Sequence, residues 1–270
     1  LEIASKAGDI WISILIQISL GMGELLSGNP EAAQHYLTTA ESSSIKVKDP
    51  FTLSASRLWL ALRAWRQGYA NTALGYLEKV LKTVQEHDYL FLLTQESLLG
   101  LMDREAIYPL LIAAAEADLE RPFIEELLKL RGLEEETYHP GYTLWVRTFG
   151  SFKVWRSDQL IEPQEWKRGK ARQLFQLLIA NRDRWLSRDQ LTATLWADAP
   201  AENASGYLKV ILNALNQVIE PDRPRGATPY FIERQQDLYR LNPNARIIVD
   251  SELFIDEIQN GTLASLHNAV

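Results

Sequence analysis

The hydrophobic period of this chain changes near residue 140, and that change limits what each part can fold into. Residues 3–131 are rich in helix formers and nearly free of strand signals. From Leu144 the pattern switches. Leu144, Val146 and Phe149, then Phe152 and Val154, interleave with polar residues, and Gly150-Ser151 sits between them as a turn. A period of two marks a half-buried strand, whereas a period of 3.6 marks one face of a helix. A length of 270 residues accommodates two cores. Glu134-Glu-Glu136 and then Tyr138-His-Pro-Gly-Tyr142 read as a helix end and a linker. The expected division is residues 1–138, residues 142–250 and a last piece, 251–270.

The first part repeats itself. Asn29–Ala40, Ala70–Val80 and Asp103–Ala113 align, matching Ala33 with Ala73 and Ala106, Leu37 with Leu77 and Leu110, and Ala40 with Val80 and Ala113. The steps are 40 and then 33 residues. Twelve residues before each small anchor stands Gly21, Ala61 or Thr94, preceded by Leu20, Leu60 or Leu93. Small residues at matched positions let two antiparallel helices approach closely, and the large ones fill the space between them. Stacked helix pairs build a curved surface for a protein or small-ligand partner. Arg57, Arg63 and Arg66 with Trp59 and Trp65 are candidates to line it, or form ordinary surface packing pairs.

The second part continues with an amphipathic helix over Lys170–Asn181, its inward face holding Ala171, Leu174, Phe175, Leu177 and Leu178. Trp185-Leu186 is a short extended piece. Ser187 caps a helix running to about Trp196, with Gln190 at the reciprocal position three residues on. After an Ala197–Ala201 loop, a third helix spans about Asn203 to Ile219. Its apolar side holds Leu208, Ile211, Leu212, Leu215 and Val218. The opposite side holds Gly206, Lys209, Val210, Asn213, Asn216 and Gln217, spaced three and four apart. Asn and Gln pair bidentately with adenine, and Lys meets guanine or phosphate, so this face suits a DNA major groove. Tyr230–Glu233 and Leu238–Leu241 then read as a hairpin with Arg234-Gln-Gln-Asp237 at its tip. Trp155, Trp166 and Trp185 read as core.

Two resemblances follow from these residues. The repeats over about residues 10–130 resemble tetratricopeptide repeats. Residues 144–250 resemble the OmpR/PhoB-type winged helix of the SARP family of bacterial transcriptional regulators. The second match lies in Trp166-Lys-Arg-x-Lys-Ala-Arg-x-Leu, Ser187-Arg-Asp-Gln-Leu-x-x-x-Leu-Trp196, the Leu-rich third helix and Tyr239-Arg-Leu241. The implied fold is mostly α, a tetratricopeptide-like α-solenoid followed by an α+β winged helix-turn-helix. The implied function is promoter reading in the cytoplasm. The resemblance puts DNA contacts on Lys209, Val210, Asn213, Ala214 and Asn216 of the third helix, beside the Gln217 that the helix face adds, and the wing position that enters the minor groove on Gln235, next to Arg234. Trp196 would meet the backbone, and the Ala197–Glu202 loop would face RNA polymerase. Val249–Phe254 resembles the opening of an activation-type helical domain, with Asp250 as the helix cap; residues 251–270 would be its first helix or a tail. The chain departs from the family in having Ala214-Leu215-Asn216 where an Arg-Leu-Arg step is usual, and Leu238 where Gly is usual. Each missing bidentate arginine contact is worth about 1–3 kcal/mol.

Charge and composition narrow the functions. The net charge is −7, yet residues 141–250 carry 16 Lys and Arg against 12 Asp and Glu, the sign expected near phosphates. Lys167, Arg168, Lys170, Arg172, Arg184, Arg188 and Arg234 are candidate backbone contacts. The absence of Cys excludes disulfides and thiolate chemistry. Four scattered His and the lack of a glycine-rich phosphate cradle suggest neither metal nor cofactor nor enzyme. Ile10–Leu20 is apolar but too short to span a bilayer, so no membrane partner is expected. The chain opens on Leu1, not Met, and reads as a piece of something longer. The rival expectation is a protein-interaction scaffold whose winged helix no longer binds DNA; a small-molecule sensor is the third.

Overall fold

The computed structural model describes residues 9–197 and 201–261, with only the backbone described for 201–205 and 260. The protein is mostly helical, with its strands confined to the C-terminal part. It divides into two compact units between Glu136 and Thr137.

The first unit is a run of helices: α1 (Ile10–Leu26), α2 (Pro30–Val47), α3 (Pro50–Arg66), α4 (Ala70–His87), the single turn α5 (Phe91–Thr94), a 3-10 turn (Arg104–Ile107), α6 (Tyr108–Glu116) and α7 (Arg121–Lys129). Local chemistry sets the ends. Asp9 and Asp49 cap α1 and α3 through their carboxylates, and Pro30 and Pro50 occupy first helical positions where no amide hydrogen is needed. Gly28 (φ +83°) and Gly68 (φ +78°) turn the chain after α1 and α3. Such short connections make successive helices antiparallel neighbours.

Packing between the helices depends on the small anchors. A Cβ on Gly21 would lie 2.6 Å from Leu37 Cγ, so the glycine is what lets α1 and α2 approach. Ala33, Leu37, Ala40, Ala61, Ala73, Leu77 and Val80 are all fully buried. The third repeat departs from this pattern. Its first helix is reduced to α5, and the chain then runs through a loop whose Leu99 carbonyl accepts from Trp59 Nε1 (2.9 Å). Leu110 is buried, but Ala106 and Ala113 are only half-buried. The polar run Gln95–Ser97 and then Gly100 cannot continue an apolar face, so α5 ends at Thr94. At the far end, the buried Glu105 carboxylate holds Arg131 (2.9 Å) and Arg104 (3.4 Å).

The second unit follows the order β1 (Leu144–Arg147), β2 (Lys153–Arg156), β3 (Gln159–Leu160), a 3-10 turn (Pro163–Trp166), α8 (Gly169–Ile179), β4 (Leu186–Ser187), α9 (Arg188–Leu195), α10 (Ala201–Ile219), β5 (Ile232–Gln235), β6 (Leu238–Leu241), β7 (Ile247–Val249) and α11 (Asp250–Asn260). One sheet has the order β3-β2-β1-β7, with β7 parallel to β1; the other is β4-β6-β5, antiparallel throughout. Leu144 and Val146 face the core while Trp145 and Arg147 face outward, as period two requires. The helices close over Val154, Trp166, Phe175, Leu191, Leu215 and Phe231. Trp166 is core as expected, but Trp155 and Trp185 are half-buried; Trp185 lies 4.4 Å under the Arg240 guanidinium.

Several expected boundaries shift. The third helix begins at Ala201, two residues early. The hairpin strands pair Ile232 with Leu241 and Gln235 with Leu238, so Arg234 and Gln235 lie in a strand and the tip is Gln236-Asp237. Asp250 is the first residue of α11 rather than its cap. Its carboxylate accepts from Thr148 N and Oγ1 (both 2.7 Å), Phe149 N (3.0 Å) and Ser251 N (2.9 Å). This ties the β1–β2 turn to α11. Burial raises the pKa of Asp250, but the hydrogen bonds from Thr148, Phe149 and Ser251 outweigh it and hold the carboxyl below its ordinary range.

Two outcomes follow. In α1, Gly21→Ala forces Leu37 out of place and lowers the urea midpoint of the helical unit. Gly23→Ala, whose Cβ meets nothing within 4 Å, raises it, through a helix-propensity gain of about 1 kcal/mol in unfolding free energy. For Asp250, a depressed folded pKa contributes stability above the unfolded value of about 3.9, and that stability is lost as pH falls through the folded pKa. Asp250→Asn is therefore less stable than the parent at pH 7, and denaturation curves of the two converge as pH drops below about 4.

Candidate nucleic-acid interface

Helix α10 presents two faces. Leu208, Ile211, Leu215, Val218 and Ile219 are buried, in a unit where α10 packs on α8 and α9. Gly206, Lys209, Val210, Asn213 and Gln217 are exposed, at spacings of three and four along one side. Ala214 is half-buried at the margin. Asn216 does not belong to this face. It is only 4% exposed, and its side-chain oxygen has no hydrogen-bond partner among the described residues. Its position between the two faces left the polar side chain as the only cue, and packing turned it inward. Tyr207 was missed for the opposite reason. It is half-exposed (50%), beside Val210 (44%), and its ring lies 6.2 Å from that of Trp196. An aromatic residue reads as core by type alone, whereas its spacing of three from Val210 places it outward.

The carboxyl end of α10 is held from several directions. Tyr142 OH donates to the Ile219 carbonyl (2.6 Å), and Arg156 Nη1 to that of Val218 (2.9 Å), with Arg156 Nη2 also 2.6 Å from Glu165. The buried Glu220 carboxylate accepts from Tyr230 N and Phe231 N, both at 3.0 Å. Burial, helped by Tyr138 and Glu220, pushes the Tyr142 hydroxyl far above its usual pKa, so it remains a donor throughout the working pH range. These contacts set how α10 faces outward relative to both sheets.

The hairpin β5–β6 is fixed at its tip. Gln236 holds φ +53°, and Asp237 accepts twice from Arg188: its carbonyl from the Arg188 amide (2.8 Å) and its carboxylate from Nη2 (2.7 Å). An acidic residue at the start of α9 also suits the positive end of that helix. Arg234 is exposed, but its Nε donates to the Gln236 carbonyl (2.8 Å) and its guanidinium lies 5.6 Å from the Tyr239 ring. Gln235 is exposed opposite Leu238.

The proposed backbone cations separate into engaged and open groups. Lys170 donates its ammonium to the Leu195 carbonyl at the end of α9, and Arg172 donates to Phe152 O (2.6 Å). Arg184 folds back on Asn181. Lys167, Arg168 and Lys209 are exposed. The capping box at Ser187 and Gln190 is present with both bonds. Trp196 is half-buried at the end of α9. Of the Ala197–Glu202 loop, residues 198–200 lie outside the described residues, and 201 and 202 belong to α10.

In the helical unit, three of the five residues named for a ligand face take part in the packing of the unit itself. Trp59 is buried, Arg57 pairs with Glu41 (2.8 Å) and Arg63 donates to Pro30 O (2.6 Å). Among the described residues no cluster of His, Asp and Glu is arranged to hold a metal, and no helix is long and apolar enough to cross a membrane.

Removing the tip contact isolates what it does. Asp237→Ala costs at most about 1 kcal/mol of stability, as for other exposed pairs. It raises amide exchange over residues 235–238; unchanged exchange would mean that the backbone bond from Arg188 alone holds the tip. Comparison of the chain with protein-family models, with curated proteins and with solved structures finds no match.

Proposed function

We propose that the C-terminal unit is a winged helix-turn-helix that reads duplex DNA, with α10 in the major groove and the β5–β6 hairpin as the wing. The observation that carries this reading is the exposed stripe Gly206, Lys209, Val210, Asn213 and Gln217 on a helix whose other side is buried. A solvent-facing helix side with bidentate amides and one cation matches the donor and acceptor pattern of base edges. The order of strands, three helices and hairpin supports the same reading, in the manner of the OmpR/PhoB-type domains of SARP-family regulators that residues 144–250 resemble. Phosphate contacts would set register, and Asn213, in the middle of the stripe, would read bases. The helical unit, a tetratricopeptide-like scaffold, would dock a protein or small ligand. The whole is read as a bacterial, cytoplasmic transcriptional regulator acting on promoter DNA with RNA polymerase, and not as an enzyme.

One observation favours the rival scaffold reading. Lys170, Arg172 and Arg188 are all engaged with protein acceptors, which leaves Lys167, Arg168 and Lys209 as the open cations among those expected at the DNA backbone. Salt dependence separates the two, because phosphate contacts release counterions and an apolar protein interface does not.

The test is selection of the chain on a random duplex pool at two salt concentrations, beside Lys209→Ala with Asn213→Ala. The expected outcome is enriched sequences and steeply salt-dependent binding, with the enrichment abolished in the double variant. No retention of duplex at low salt by the folded chain would turn the search toward protein partners.

A further inference from the structure

The exposed stripe of α10 runs into a cleft. Gln217, its last member, lines an open cavity of about 530 Å³ together with Lys167, Glu220, Arg223, Arg225 and Gly226. Lys167 and Arg225 are exposed, and among the described residues neither side chain has an ion pair or hydrogen bond. Arg223 forms part of the wall, with 22% of its side chain exposed. Its Nη1 donates to Ala227 O (2.7 Å) and its Nε faces Glu220 at 3.5 Å. The Glu220 carboxylate is fully buried behind it and already accepts two backbone amides. Two open cations therefore line a cleft in which the one acid among the lining residues, Glu220, is buried, while Asp222 of the same loop is exposed.

The position matters as much as the charge. Eight residues separate Lys209 from Gln217, about 12 Å along a helix. That is about the width of the major groove. A helix laid across the groove with Lys209 at one wall brings the Gln217 end against the strand at the other. The carboxyl end of a helix ordinarily repels anions. Here its last carbonyls are covered by Arg156 and Tyr142, which blunts that field.

We propose that this cleft is a phosphate site, in which Lys167 supplies a mobile point charge and Arg225 a planar fork, and that its occupant is a backbone phosphate of the duplex. The choice of occupant rests on the DNA reading above; the phosphate chemistry does not.

Two arms test it on the whole chain. In the first, inorganic phosphate is titrated in a chloride background while the Gly226 and Gln217 amide resonances are followed. A saturable shift that disappears in Lys167→Gln with Arg225→Gln is the expected result. No shift would overturn the site. In the second, the salt slope of duplex binding is compared between parent and double variant. A slope smaller by about one, with sequence preference unchanged, is expected from losing one phosphate contact. An unchanged slope despite a phosphate shift would overturn the duplex as occupant and leave a site for free phosphate. A phosphate shift in a chain that retains no duplex at low salt would overturn both the DNA reading and the duplex occupant, while upholding the phosphate site. Both substituted residues are exposed, and an unchanged melting temperature checks that the variant is folded.

Discussion

The second unit depends on the way the carboxyl end of α10 is tied down. A helix end leaves its last carbonyls without partners, and a buried end must find donors elsewhere. Here the donors come from far along the chain: Tyr142 to Ile219 and Arg156 to Val218. Glu220 completes the arrangement by gripping the amides of Tyr230 and Phe231 as the chain approaches β5. One helix terminus thus joins the β1–β2 sheet, the α-helical layer and the hairpin. A lone buried carboxylate is costly, so Glu220 is tolerable only because two amides and Arg223 face it. The outward direction of Lys209 and Asn213 follows from that anchoring and from the burial of Leu208, Leu215 and Ile219 on the other side.

The helical unit rests on a different device, steric rather than electrostatic. Gly21 against Leu37, and the buried alanines at the matched positions, set how closely α1–α4 pack. Glu105 between Arg104 and Arg131 closes the later, less regular part with a buried charge cluster instead. On α3, Arg57 pairs with Glu41 and Arg63 donates to the Pro30 carbonyl, contacts of the packing kind that their pattern also allowed.

Legibility tracked the range of the interaction. The capping box of Ser187 and Gln190 spans three residues and was readable directly. The first two repeats were readable because a small residue and a large one recur at a fixed separation. The third was not. α5 is a single turn followed by a loop, and that loop meets Trp59 at Leu99, forty residues away. The stripe at Lys209, Val210, Asn213 and Gln217 was visible from spacing, whereas Asn216 sits where two faces meet and residue type misled. The hairpin showed a similar limit. Its existence was evident from alternating residues, but its register came from pairing, which moved Arg234 and Gln235 from the tip into β5.

By itself the sequence determined the uneven distribution of charge, the switch of period near residue 140, most of the long helices and the capping box at Ser187, because the periods and the cap depend on neighbours within a turn or two. The tertiary structure decided which cations stay open, which polar residues turn inward and how α10 is held. Lys170, Arg172 and Arg188 look alike as surface charges along the chain, yet each meets an acceptor 20 to 49 residues away. The anchors of α10 span 62 and 77 residues. Contacts at such separations leave no period in the sequence, since they arise only when the folded backbone brings a donor to a carbonyl that would otherwise lack a partner.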